Sequence, residues 1–156
     1  MTDQWRHLPA AARPIAAATA SAVEAARARD PAALSGAVAE LGAQDQTRTG
    51  LILGTAVRLL LEAAHPDGLA ADDVRAVLEQ SVRSAAAWCP EVDPQATLYL
   101  LASALGVWED DGSPAPKPET LALHAALLLE HLLGPRPIAE VMTATLTEIQ
   151  RAQLND

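Results

Sequence analysis

The segment Thr120–Leu133, TLALHAALLLEHLL, constrains the fold more than any other stretch of this chain. Alanine and leucine fill it, and its polar residues are Thr120, His124, Glu130 and His131. At about 100° per residue, Thr120, His124 and His131 fall on one stripe, with Glu130 to its side. The rest of the circumference is apolar. A helix that is hydrophobic nearly all round has no face for water, so it belongs inside a domain or in an interface between subunits.

Two further segments share this character. Residues 44–65 contain LILGTAVRLLLEAA, in which Thr55, Arg58 and Glu62 form one narrow polar stripe and everything else calls for burial. Arg58 and Glu62 are spaced i, i+4 and can pair, for a few tenths of a kcal/mol. Residues 94–105 contain TLYLLASAL, again almost wholly apolar. About a fifth of the chain is alanine, the best helix former, while Phe is absent and Tyr occurs once. Such a core lets helix axes approach closely. The sequence therefore predicts an all-α, single-domain bundle of about seven helices, with inner helices near 44–65, 94–105 and 119–133.

Proline and glycine mark the remaining boundaries. A first helix is expected over about 14–29, with Ile15, Ala18, Ala22, Val23 and Ala26 as its apolar stripe. Asp30-Pro31 opens a second, because Asp caps a helix and Pro fits its first position. Leu34, Val38 and Leu41 follow on one face, and Gly42 is a natural stop. A fourth helix over about 71–89 turns Val74, Leu78, Ser81, Val82, Ala85 and Trp88 inward. Asp93-Pro94 opens the fifth. Pro137 begins a seventh, with Ile138, Val141, Met142, Leu146 and Ile149 on its buried face, fraying into Asn155-Asp156. Residues 1–12 are expected to be a flexible N-terminal arm. Residues 13–156 form the helical domain, interrupted by an acidic and proline-rich loop at 109–118.

Charge limits the partners. The net charge is −9 over 156 residues, and all of it arises beyond residue 64, where fourteen Asp/Glu face five Lys/Arg. A nucleic-acid binder needs a basic footprint, and an anionic membrane surface needs the same, so both are disfavoured. The apolar runs are broken by Arg58 or Glu130-His131, or fall short of a membrane span. No secretory pattern is present, and a cytoplasmic protein is expected. Cys89 is the single cysteine. It can form no disulfide within the chain and no multi-cysteine zinc site, and is read as a structural thiol.

Candidate site residues are few. His124 and His131 stand two turns apart, about 10 Å along a helix, too far to share one metal. They are expected to sit at helix–helix seams, or with Tyr99 to anchor a ligand in an apolar pocket. No metal site is assigned. Glu109, Asp110 and Asp111 gather carboxylates beside Trp108 but lack the alternation of a calcium loop, which leaves a solvated turn. Pro114–Pro118 is read as a stiff, extended connector. Trp5, Trp88 and Trp108 are candidate interface residues, since an exposed Trp makes a contact hot spot.

There is no phosphate loop, dinucleotide fingerprint, nucleophile elbow or HExxH, so no catalytic motif and no cofactor are implied. Two readings of function follow. The first is a self-associating interaction or assembly module, as a homodimer, driven by surplus apolar helix surface. The alternative is a binding domain for a small apolar ligand, with its pocket between the inner helices.

Overall fold

Capping chemistry sets the observed helix boundaries. The computed structural model describes residues 5–110 and 112–155. It contains seven α-helices and no strand among those residues: α1 Arg13–Arg27, α2 Pro31–Gly42, α3 Gln46–Ala64, α4 Ala71–Ala86, α5 Pro94–Ala104, α6 Pro118–Leu133 and α7 Ile138–Leu154. Both Asp-Pro pairs act as expected. The Asp30 carboxylate accepts the Ala33 N–H at 3.1 Å, and that of Asp93 accepts the Gln95 N–H at 2.9 Å. Asp45 caps α3 in the same way through Arg48 N–H, which starts that helix two residues after Gln44.

Two helices end earlier than the sequence implies. The α1 helix stops at Arg27 because the chain enters a left-handed turn, with Arg29 at φ 54°. Asp30 N–H then bonds back to Ala25 and Arg29 N–H to Ala26, satisfying carbonyls the helix end leaves open. The α4 helix stops at Ala86, and the following turn is closed by Cys89 N–H on the Ala85 carbonyl at 2.7 Å. Trp88 and Cys89 therefore belong to a turn and not to the helix.

The α6 helix is the hub of the bundle. It packs against α1, α2, α3, α4 and α5, while α7 lies on α3 and α1. Six consecutive residues, His124 to Leu129, are buried, which only a helix enclosed on every side can achieve. Its N-terminus comes so close to α2 that a Cβ on Gly42 would meet Glu119 Cγ at 2.8 Å. The amphipathic helices meet this hub with the expected faces. The stripes predicted for α1, α2 and α7 are all buried.

Three expectations need revision. The α5 helix is inner only on one side: Ala96, Thr97 and Leu101 are buried, but Leu98 is exposed. In α3, Leu51 faces solvent although the sequence assigns it to the interior, whereas Thr55 of the polar stripe is buried. In α4 the buried residues are Val77, Ser81 and Ala85, with Val74, Leu78 and Val82 only half-buried. The side of a helix that its neighbours cover decides each case.

Residues 5–12 are packed and do not form a loose arm. Trp5 and Leu8 are buried, at 3% and 4% exposure. Arg13 holds the segment by donating to the carbonyls of Leu8 and Arg6, each at 3.0 Å. His7 adds a 2.8 Å hydrogen bond to Thr143 of α7. Residues 1–4 of the expected arm, Asp111 of the acidic turn and Asp156 at the frayed end lie outside the described residues. No described helix is long and apolar enough to cross a membrane.

Candidate functional site

His124 is buried at 1% exposure and makes two short hydrogen bonds. Nδ1 lies 2.7 Å from the Thr120 carbonyl, which can only accept, so Nδ1 carries the proton. Nε2 is then a lone pair, and it accepts the Asp93 backbone N–H at 2.8 Å. Nδ1 is held within α6 by the Thr120 carbonyl one turn back, and Nε2 ties α6 to the start of α5 through Asp93. His131 is half-buried, with no hydrogen-bonding partner among the described residues, and borders neither of the two clefts described below. The structure thus does not bring the two histidines to one site.

A cleft of about 290 Å³ opens beside His124, between α2, the α4–α5 turn and α6. Ser35, Cys89, Glu91 and Glu119 contribute to its wall. The Cys89 thiol is buried and points at Glu91 Oε2, 3.5 Å away. Burial, and next the hydrogen bond and negative charge of Glu91, push its pKa up. A nucleophilic cysteine requires the opposite, a depressed pKa and a free base beside it. With His124 engaged at both nitrogens, this cleft lacks the parts of a Cys–His pair. Among the described residues, no three His, Cys, Asp or Glu side chains are grouped as a metal would need.

A second cleft, of about 320 Å³, lies between α3, α5 and α6, the three helices expected to be inner. The α3 wall is Gln46, Thr49, Gly50, Leu53 and Gly54, and α5 contributes Tyr99, Leu100, Ser103 and Ala104. The α6 side is Pro118, Leu121 and Ala122. No lining residue is charged. The volume is at the lower end of clefts that hold small molecules, roughly 300–1,000 Å³.

Two features distinguish this wall. A Cβ built on Gly50 or on Gly54 meets nothing within 4 Å, so neither glycine is there to admit another part of this chain. Each still weakens the helix by about 1 kcal/mol relative to alanine. Thr49, at 4% exposure, has a buried hydroxyl with no hydrogen-bond partner. Leaving such a group unsatisfied costs about 1–3 kcal/mol. Gln46 is partly engaged: its Nε2 donates to the carbonyls of Leu41, Gly42 and Gln44, which leaves the amide oxygen available.

Of the residues singled out from the sequence, Tyr99 alone borders this cleft. Its ring also contacts Trp108 edge-on, with centroids 4.8 Å apart and planes at 64°. Tyr99 and Trp108 together line a neighbouring hollow of about 400 Å³ under Ser113, Pro114 and Pro116, so the proline-rich loop folds back over α5. Trp108 is 40% exposed and Trp88 half-buried, while Trp5 has no surface left to offer a partner. Gln46, Thr49, Gly50, Gly54 and Ser103 were not anticipated. The available signal was the pair of glycines four apart inside a strongly helical, apolar run.

The fold and cleft define an all-α bundle with an uncharged groove between helices. The sequence matches no protein-family model, and no curated protein or solved structure is significantly similar to it.

Proposed function

We propose that this protein is a small-molecule binding module and that the cleft between α3, α5 and α6 is its site. The observation that carries this reading is the cleft wall itself. Two helix-interior glycines keep it open at the expense of helix stability, and a buried hydroxyl beside them lacks a partner. A chain without a guest to admit gains by replacing both glycines with alanine. Apolar walls with a few polar groups are the usual make-up of such sites.

Thermal-shift measurement with a panel of compact apolar compounds tests it. A compound present at 100 times its Kd should stabilise the fold by about 2.7 kcal/mol. Gly54→Leu, which fills the cleft, should abolish that response while the variant stays folded. Flat responses across the panel, or responses that persist in Gly54→Leu, would remove the proposal.

Self-association is the second reading. Its motive in the sequence, surplus apolar surface on three nearly all-apolar helices, is weakened for α6, which is enclosed within one chain. What favours it now is the exposed set Leu98, Val107 and Trp108, on α5 and the loop just after it. Light scattering at micromolar concentration should then show a dimer that Trp108→Ser dissociates. A strictly monomeric profile would eliminate it.

A further inference from the structure

The lining of the α3–α5–α6 cleft also limits what can occupy it. Its polar groups are the Gln46 amide, the Thr49 and Ser103 hydroxyls and the Tyr99 phenol, with no carboxylate, ammonium or guanidinium among them. No Lys, Arg or His stands in the wall to receive a carboxylate or phosphate, and no Asp or Glu to receive an amine. A charged group taken into this apolar space would lose its hydration with nothing to replace it, which is strongly unfavourable. The net charge of −9 adds long-range repulsion against anions.

From this, and resting on the binding role proposed above, we infer that the ligand is an uncharged amphiphile. It has a compact apolar body and one neutral hydrogen-bonding head, such as an alcohol, ketone or ester. We further assign recognition of the head to Thr49. Its hydroxyl has no solvent-accessible surface and no partner, so turned toward a guest it gains a hydrogen bond without giving up an existing one. Threonine in a helix divides between two χ1 rotamers, so a single rotation re-aims the hydroxyl toward a guest. The apolar body would lie along Leu53, Leu100 and Leu121, over the two glycines.

The experiment is a titration of the full chain with octanol, methyl octanoate and octanoate at pH 7.5, followed by the backbone amide signals of α3, α5 and α6. Octanol and the ester should shift signals around Gly50, Gly54 and Tyr99, and octanoate should bind at least about tenfold more weakly. Thr49→Val, which keeps the shape and removes the hydroxyl, should weaken octanol about tenfold, the equivalent of one hydrogen bond. Octanoate binding as tightly as octanol would overturn the ligand class while leaving a binding cleft in place. Unchanged octanol affinity in Thr49→Val would overturn the role of Thr49. Failure of all three probes to move any cleft signal would instead sink the binding reading on which this inference rests.

Discussion

The backbone N–H of Asp93 donates to Nε2 of His124 across 2.8 Å, joining the first turn of α5 to the middle of α6. Asp93 is at the same time the N-cap of α5, through its carboxylate and the Gln95 N–H. One residue thus starts a helix with its side chain and fastens it to the hub with its backbone. The histidine that most invites a catalytic or metal-binding reading is used as a structural acceptor.

His124→Leu should therefore destabilise the fold by about 1–3 kcal/mol, the range for leaving a donor unmatched. His131→Leu, which breaks no side-chain hydrogen bond, should change stability by less than about 0.5 kcal/mol. Urea unfolding of the two variants reads the contrast. Equal losses would mean that His131 has a role its surroundings do not show.

Arg29 sits at φ 54° after the end of α1, in a conformation that costs a non-glycine residue about 1–2 kcal/mol. Arg29→Gly removes that strain but loosens the unfolded chain, which returns part of the gain. The expected net is a stabilisation of up to about 1 kcal/mol, raising the thermal midpoint by about 2–4 °C in a protein of this size. A lower midpoint would show that the Arg29 side chain contributes more than its backbone costs.

Gly50→Ala and Gly54→Ala should each stabilise α3 by up to about 1 kcal/mol, since the added methyl meets nothing. Both should also weaken ligand binding by narrowing the cleft. Gly36 of α2 is equally open but does not line the cleft, so Gly36→Ala should give the stability without the loss of affinity. Denaturation midpoints paired with a ligand titration separate the two effects. Alanine variants that bind as well as the parent would detach the glycines from function.

Cys89 should titrate above the ordinary thiol range in the folded protein, because burial and then Glu91 disfavour the thiolate. The folded state holds this proton more tightly than the unfolded chain does. The stabilisation is thus complete below the unfolded thiol pKa and is lost as pH rises through the folded value. Thiolate absorbance followed with pH, native against urea-unfolded, should show the higher midpoint in the native protein. A lower native midpoint would make Cys89 a nucleophile candidate.

Much of the fold was readable from the chain. Apolar stripes on α1, α2 and α7 and the Asp-Pro starts of α2 and α5 rest on interactions within a few residues, so spacing alone exposes them. The enclosure of α6 follows from its composition in the same local way. The cleft was less accessible. Tyr99 was anticipated, but Thr49 and Ser103 look like ordinary helix residues until α3, α5 and α6 are set side by side. Exposed Leu51 and buried Trp5 mislead for one reason: residue type states a preference, and neighbouring elements decide whether it is met.

What the sequence determined by itself is therefore the helical class, the positions of the elements and the helix that must lie at the centre. These depend on propensity, capping and periodicity, which act over one or two turns. The tertiary structure decided which flank of α3 and α5 stayed uncovered, that His124 would bond the Asp93 backbone, and that Thr49 would be left without a partner. Those outcomes arise from contacts between residues far apart in the chain. No local pattern specifies which helix closes against which, and the cleft is the space that this packing leaves.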